Sequence, residues 1–254
     1  MCTLAVYHAA LPGLPLVVAA NRDELYARPT REPELLREHP AVLGGRDLVA
    51  GGSWLTLSDR GLVVGVLNRR TAELPDPERE SRGLLCMALA VAESAEAAAR
   101  MLEGTAAQRH NPFNILVADR SSAFVAQNVT EGTSVHRLTP GTHVLTNLDL
   151  NDPTCPRIFR SSKRFSAVAE AFALRPDRAA LVEGLRDVLV DHLTPTDDRR
   201  PTDQLCIHTE AYGTRSSSIV WIDESDHARF LHAAGPPCVT PHRDVAVPWG
   251  DGGR

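Results

Sequence analysis

The residue with the most distinctive chemistry is the cysteine at position 2. Methionine aminopeptidases remove an initiator methionine when the next side chain is small, so we expect the mature chain to begin with Cys2. The thiol, with an ordinary pKa of about 8.5, and the α-amine, with one of about 7.7–8.0, then lie on the same residue. Such a residue is a nucleophile that carries its own base. The competing interpretation is a small buried hydrophobic residue at the start of a strand.

The second apolar run of the chain is followed by four polar residues, Asn21, Arg22, Asp23 and Glu24. Residues 2–8 alternate in polarity, residues 15–20 are apolar, and a turn segment lies between them, so a β-hairpin is predicted. This hairpin brings the polar residues beside Cys2, where an arginine lowers a thiol pKa and an aspartate can hold a protonated α-amine. The competing interpretation is a solvated charged turn.

A glycine-rich segment, GGRDLVAGGSWL, covers residues 44–55. One interpretation is a tight backbone loop that lines a pocket, with Trp54 as an apolar wall. The other is a pair of ordinary turns, and the pattern does not decide between them. The segment does not match a phosphate loop, because it contains neither GxxxxGK[ST] nor GxGxxG.

The remaining cysteines and the histidines show no metal-ligand spacing. The five cysteines are far apart and include no CxxC pair, which argues against a disulfide framework and against a thiolate zinc site. The histidines form no HExxH and no HxH pair, and Ser216 to Ser218 lack a GxSxG elbow. Cys155-Pro156 is only a weak signal for a haem contact. We therefore expect no metal and no cofactor.

Length, composition and charge exclude several classes of protein. The chain has 254 residues, of which 43% are hydrophobic and 23% charged, as in ordinary globular domains. A formal charge of −5 leaves no overall basic footprint for nucleic acid. The N-terminal segment lacks a positive region and is interrupted by Pro12 and Pro15, so neither a signal peptide nor a membrane span is predicted. The expected location is the reducing cytoplasm.

The predicted elements follow the order hairpins, helix, strands, two helices, strands. Helices are expected over 83–103, 157–173 and 177–192, the last with Asp177 as its N-cap. Beyond two N-terminal hairpins, strands are expected at 113–118, 122–127, 142–147, 204–209, 216–223 and 228–233. Without a regular βαβ alternation, antiparallel sheets covered by helices fit better than a parallel sheet. We expect a single domain over 1–234 and a loosely ordered tail over 235–254.

The chain resembles the NRDE family, also called the Transport and Golgi organisation protein family, over about residues 1–233. The resemblance rests on blocks that occur in the family's order. They are Met1-Cys2, VVAANRDE with Arg28-Pro29 after it, GGRDLVAGGSWL, Val66 to Arg69, Thr146-Asn147, and Tyr212 to Ser217. Several blocks in order are more specific than any one of them.

The resemblance implies a divergent N-terminal-nucleophile (Ntn) hydrolase, an α+β fold with a four-layer αββα sandwich of mostly antiparallel sheets. Choloylglycine hydrolases, which include penicillin V acylases, are similar in pattern. By position, their catalytic roles fall on Cys2, Arg22, Asp23, Asn147, Asn68 and Arg215. Substrate-binding roles are expected for Asn21, Glu24, Arg46 and Trp54.

The leading functional prediction is cleavage of a small-molecule amide or ester through an acyl-Cys2 intermediate, with water or an amine as the acceptor. A role in specialised metabolism is one setting, since the arginine-rich, lysine-poor composition is typical of a GC-rich genome. The alternative is a non-catalytic binding or trafficking protein for haem or a lipid-like ligand on the same scaffold. The expected partner is a small molecule, without nucleic acid or a membrane span, and a homo-oligomer is left open.

Overall fold

The computed structural model describes residues 2–72, 74–129, 132–193 and 203–249. The chain divides into two compact units. The first is described over residues 2–27, 140–193 and 203–249, and the second over 28–72, 74–129 and 132–139. The prediction of a single domain over 1–234 stays a prediction, and each unit has its own sheet and core.

Among the described residues, two pairs of α-helices separate three runs of strands. The strands are β1 (Thr3–Leu11), β2 (Leu14–Leu25), β3 (Thr30–Glu38), β4 (Ala41–Asp47), β5 (Leu55–Ser58), β6 (Val63–Asn68), β7 (Phe113–Ala118), β8 (Ala123–Val129), β9 (Gly132–Arg137), β10 (Gly141–Leu145), β11 (Tyr212–Ile222), β12 (Ala228–Ala233) and β13 (Arg243–Val245). The helices are α1 (Arg82–Ala90), α2 (Ala95–Glu103), α3 (Pro156–Leu174) and α4 (Arg178–Leu189).

The first unit contains a six-stranded antiparallel sheet in the order β10-β1-β2-β11-β12-β13. Helices α3 and α4 cover it, and their apolar side chains join those of β1, β2 and β11 in one buried cluster. Tyr7 of β1 packs edge-on against Phe165 of α3 and donates its hydroxyl hydrogen bond to the Phe165 carbonyl at 2.9 Å. This contact joins the sheet to the helix directly behind the N-terminal strand.

The second unit contains a seven-stranded antiparallel sheet in the order β3-β4-β5-β6-β7-β8-β9. Helices α1 and α2 pack on it through small and aliphatic side chains such as Leu89, Ala98 and Leu102, which share one buried cluster with Phe113 and Ile115 of β7. Each unit is therefore one antiparallel sheet with two helices, as the prediction of helix-covered antiparallel sheets requires.

The N-terminal hairpin and the hairpin formed by β5 and β6 are confirmed. Gly13 has a φ of 72° in the first turn, a conformation that favours glycine. The predicted helix over 83–103 is two helices, because a second N-cap, Ser94, accepts a hydrogen bond from the Ala97 amide and starts α2 anew. Asp177 caps α4 as predicted, and Pro156 occupies the first turn of α3.

Four strands and one segment differ from the sequence-based expectations. The prediction omitted β3, β4, β9 and β13, whose residues are mostly polar or glycine-rich. The expected strand at 204–209 is instead a bent segment with an isolated bridge between His208 and Gly213. Within the expected loose tail over 235–254, residues 243–245 form β13, which pairs with β12. The predicted polar loop at 194–203 lies, up to residue 202, outside the described residues.

Within the part of the chain that the structure describes, no helix is long and apolar enough to cross a membrane.

Candidate active site

Cys2 lies immediately before β1, next to the polar end of β2. Thr3 of β1 pairs with Asn21 of β2 in the antiparallel register. The next positions outward along the two chains are Cys2 and Arg22, so these two residues lie side by side. The Cys2 thiol donates a hydrogen bond to the Asp23 carbonyl oxygen at 3.7 Å. The hairpin thus brings the cysteine to the Asn21–Glu24 segment, as the sequence predicts.

The Asp23 carboxylate is fully buried, and residues from two separate elements bind it. Arg157, in the first turn of α3, approaches Oδ2 with Nη2 at 3.3 Å. The Thr214 hydroxyl of β11 donates to Oδ1 at 2.6 Å. The Asp23 carbonyl also accepts a hydrogen bond from the Tyr212 hydroxyl at 3.2 Å. Asp23 therefore connects the cysteine strand pair to β11 and to α3.

Burial dominates the electrostatics of Cys2 and Asp23. It raises the pKa of the Cys2 thiol above its usual value, and the Asp23 charge adds to the rise while the hydrogen bond to the Asp23 carbonyl and the Arg22 charge oppose it. Burial also raises the pKa of Asp23, against the lowering effects of the Arg157 charge and the Thr214 hydroxyl. A thiol in this environment needs a nearby proton acceptor to become a thiolate.

Arg22 is buried, and its Nη2 lies 4.0 Å from Oε2 of the half-buried Glu24. This distance is at the limit of an ion pair, so the two side chains are only loosely coupled. Glu24 Oε1 also accepts a hydrogen bond from the Leu25 amide at 2.9 Å. The Asn21–Glu24 segment is the end of the central strand β2 and is not a solvated turn. Arg22 therefore places a buried charge near Cys2.

Asn21 holds main chain in place. Its side-chain amide donates to the carbonyls of Leu189, at the end of α4, and Leu205, at 2.8 and 2.9 Å. The residue is buried, with an exposed fraction of 1%. This arrangement points to a positioning role for Asn21, in contrast to the substrate-binding role expected from the sequence, which stays a prediction.

Asn147 follows the end of β10, and Arg215 lies within β11 of the same sheet. Leu145 pairs with Leu4, which places the end of β10, two residues before Asn147, beside the start of β1. Asn147 is buried. Arg215 is the extra residue where the register of β11 shifts against β2, between Thr214 and Ser216. Such β-bulges re-aim side chains and are frequent next to active sites.

The other three predicted site residues belong to the second unit. Asn68 is the exposed last residue of β6 and pairs with Phe113. Arg46 of β4 donates from Nε to Glu34 Oε1 at 2.9 Å. The ring of Trp54 covers Gly45, where any Cβ would overlap it, so the glycine is required for this packing.

Sequence reasoning does not identify three supports of Asp23: Arg157, Thr214 and Tyr212. Arg157 has a detectable signal, since it lies on the buried face of α3 with Ser161 and Phe165 at four-residue spacing. An arginine on an otherwise buried helix face requires a partner charge. Thr214 and Tyr212 lie in one of the family sequence blocks, but no local pattern indicates which strand they face.

One group of side chains in the described part of the chain has the donor atoms to hold a metal ion. It consists of His192, Cys206, His208 and Cys238 and does not include Cys2.

The structural similarities define the class of fold. The chain resembles penicillin V acylase from Agrobacterium tumefaciens with a TM-score of 0.61 at 14% identity, covering 92% of this chain and 83% of that one. It resembles a single-residue variant of conjugated bile acid hydrolase from Clostridium perfringens with a TM-score of 0.57 at 11% identity, covering 92% and 89%. These structures are Ntn hydrolases, so the chain has the α+β fold of that class.

The sequence comparisons define the family. A family model described as Transport and Golgi organisation 2 matches residues 1–234, and the chain belongs to this family. The mouse Transport and Golgi organization 2 homolog is 30% identical over 236 residues, covering 85% of this chain and 84% of the mouse protein. The human homolog is 28% identical with the same coverage. The resemblance drawn from the sequence blocks is thereby confirmed.

Proposed function

We propose that the protein is an Ntn-type cysteine amidohydrolase, or an acyltransferase, that cleaves a small-molecule amide or ester through an acyl-Cys2 intermediate. The observation that carries the proposal is the position of Cys2, whose thiol meets the main chain of a fully buried aspartate. An Ntn-hydrolase fold and family sequence blocks around the same residues support it. A metal and a cofactor have no part in this reaction as proposed.

Removal of Met1 provides the proton acceptor that the buried thiol requires. In the mature chain the α-amine of Cys2 takes the thiol proton, and the Cys2 sulfur attacks the substrate carbonyl carbon. The C–N or C–O bond of the tetrahedral intermediate then breaks, and the α-ammonium returns the proton to the leaving group. Water attacks the thioester, the carboxylic acid leaves, and the thiol is restored. With an amine in place of water, the acyl group is transferred.

The neighbouring residues have distinct parts in this mechanism. The Arg22 guanidinium stabilises the thiolate, and Asp23 fixes the end of β2 against which Cys2 is placed. Asn147 donates from its amide to the developing oxyanion, an interaction worth about 3–4 kcal/mol in other enzymes. A catalytic role stays a prediction for Arg215, at the bulge, and for Asn68. A substrate-binding role stays a prediction for Arg46 and Trp54, which lie with Asn68 in the second unit. A cytoplasmic location and a place in specialised metabolism are also predictions.

Intact-mass analysis and thiol labelling test the proposal together. We expect the purified protein to lack Met1 and a chloroacetamide probe to label Cys2 in preference to the half-buried Cys155 and Cys238. A Cys2→Ala variant should lose selective labelling, whereas a Cys155→Ser variant should keep it. Penicillin V and a conjugated bile acid, the compounds in the names of the two structural neighbours, form the first activity panel. Full retention of Met1, or unchanged turnover by Cys2→Ala, would refute the proposed mechanism.

The second candidate is a binding or trafficking protein on this scaffold. The relatives' names, which refer to transport and Golgi organisation, favour it. A carrier needs no activated thiol, so it predicts absent or indiscriminate labelling together with saturable binding of haem in a spectral titration. Selective Cys2 labelling without haem binding would exclude the haem-carrier version.

A further inference from the structure

Two histidines and two cysteines from three separate segments of the first unit converge on one point. His192 follows α4, Cys206 and His208 lie in the bent segment before β11, and Cys238 follows β12. One ligand atom from each residue lies within 4.8 Å of the others. The Cys206 and Cys238 sulfurs are 3.7 Å apart, and His208 Nε2 lies 3.5 Å from the first sulfur and 3.3 Å from the second.

These separations match the edges of a tetrahedral zinc site. Zn–S bonds of about 2.3 Å and Zn–N bonds of about 2.0–2.1 Å at tetrahedral angles separate two sulfurs by about 3.8 Å, and a sulfur from a nitrogen by about 3.6 Å. The observed S–S distance of 3.7 Å and S–N distances of 3.5 and 3.3 Å agree to within about 0.3 Å. Both cysteines are free of disulfide bonds.

The ring of His192 has the hydrogen bond that metal-binding histidines ordinarily make. Its Nδ1 lies 3.1 Å from the carbonyl oxygen of Cys206, which can only accept, so Nδ1 carries the proton. The other ring nitrogen, Nε2, is then the basic one and is available to a metal. A histidine ligand fixed in this way by a backbone carbonyl has both its tautomer and its ring orientation set. The two histidine rings lie with centroids 5.1 Å apart.

The main chain around the ligands is held by other contacts. The Cys206 amide donates to the Asp191 carbonyl at 3.0 Å, which joins its segment to the end of α4. Cys238 lies in a tight turn in which the amides of Val239 and Thr240 both donate to the Pro236 carbonyl, at 3.1 and 2.9 Å. The main chain at Cys206 and Cys238 is therefore fixed by contacts of its own.

We propose that His192, Cys206, His208 and Cys238 bind one zinc ion in a closed, structural Cys₂His₂ site. Two thiolates balance the charge of the divalent ion, and four protein ligands leave no position for substrate or water. The spacing in the sequence, with a single residue between Cys206 and His208 and no CxxC pair, led to the opposite expectation of no metal. The fold brings these residues together, although they come from three separate segments of the sequence.

A bound ion would stabilise the Cys206–His208 segment, which contacts Thr214 of β11. Between the ligands Cys206 and His208, the Ile207 amide donates to the Thr214 hydroxyl and the Ile207 carbonyl accepts from the Thr214 amide, both at 2.9 Å. The same Thr214 hydroxyl donates to Asp23. Zinc binding does not depend on whether Cys2 is a nucleophile, so the two proposals can fail separately.

Metal analysis of untagged, reduced protein tests the proposal, because a histidine tag would bind zinc itself. We expect one zinc per chain by inductively coupled plasma mass spectrometry. Replacement by Co²⁺ should give the intense visible bands of a tetrahedral ion and the thiolate-to-cobalt charge-transfer bands in the near ultraviolet. Cys238→Ser should weaken binding more than about tenfold, whereas the matched Cys155→Ser variant should bind as the parent does.

Reduced wild-type protein that stays metal-free after it is offered equimolar zinc would overturn the proposal. Equal zinc affinity in Cys238→Ser and in the parent would overturn it as well. If Cys238→Ser does not fold, the cobalt spectrum of the wild-type protein still decides the matter, since octahedral or thiolate-free coordination contradicts the site.

Discussion

At the scale of single residues, Asp23 is the most constrained charge of the candidate active site. Its side chain has an exposed fraction of 0%, and that of Arg157 has 3%. Removing two charges from water is costly, and their attraction offsets this cost only while both are present. The hydroxyl of Thr214 donates a further hydrogen bond to this carboxylate. The position of the Cys2 thiol therefore depends on a residue from α3, far away in the sequence.

The Arg157–Asp23 pair leads to a stability prediction. An Arg157→Met variant removes the Arg157 cation from the buried aspartate, and we expect it to lose about 3–5 kcal/mol of unfolding free energy in urea titrations. Replacing Asp23 by Asn first should reduce this loss substantially. The exposed pair of Arg137 and Glu96, 2.9 Å apart, is the control, and Arg137→Met should cost no more than about 1 kcal/mol. Equal losses for the two arginine variants would contradict the importance of the buried pair.

At the scale of elements, β11 joins the candidate active site to the segment that precedes it. Its register against β2 pairs Thr214 with Asp23 and then shifts at Arg215. At Gly213 the backbone passes so close to its neighbours that an added Cβ would overlap the Tyr26 hydroxyl and the Ile207 carbonyl. The glycine therefore permits the contact between β11 and the bent segment.

Gly213→Ala should destabilise the protein by about 1–3 kcal/mol, because a methyl group has no room without a shift of main chain. Thermal unfolding of Gly213→Ala and Gly104→Ala measures the difference. Gly104 has a φ of −80°, and a Cβ added there would lie 3.7 Å from the nearest atom, so alanine fits. If Gly213→Ala unfolds at the same temperature as the parent protein, the close approach of these segments is not required for stability.

At the scale of the whole molecule, each unit carries its own sheet, its own pair of helices and its own buried cluster. In the first unit, polar side chains join the strands as well. Ser217 donates to the Ala20 carbonyl and accepts from His242, and Ser218 bonds to His232 on the neighbouring strand. Ser217, Ser218, His232 and His242, which match no catalytic motif, thus link neighbouring strands and the segment after β12.

Global stability should depend on pH through His232. Burial, and then the charge of His242, lowers the pKa of His232 to about 4, while burial and Arg186 lower the pKa of His242 to about 4. The unfolded chain binds protons near pH 6.5, so the folded state binds fewer between about pH 6.5 and 4. Stability is therefore complete above about pH 6.5 and falls as the pH is lowered, by up to about 3 kcal/mol from His232.

Urea titrations across this pH range test the assignment. His232→Gln should reduce the acid-dependent loss, because the amide does not gain a charge. His136→Gln, at an exposed position of β9, should leave the slope unchanged. An unchanged slope in His232→Gln would mean that other groups cause the acid sensitivity.

The sequence by itself determined the local features of this protein. The alternation of residues 2–8 and the turn after them predict the hairpin that joins Cys2 to Arg22 and Asp23, and Asp177 predicts the start of α4. Such signals come from residues close in the chain. Only the tertiary structure showed Arg157 beside Asp23 and the convergence of Cys206, His208 and Cys238. These groups lie on separate segments, and local patterns carry no information about distant partners, because the packing of helices and strands sets those distances.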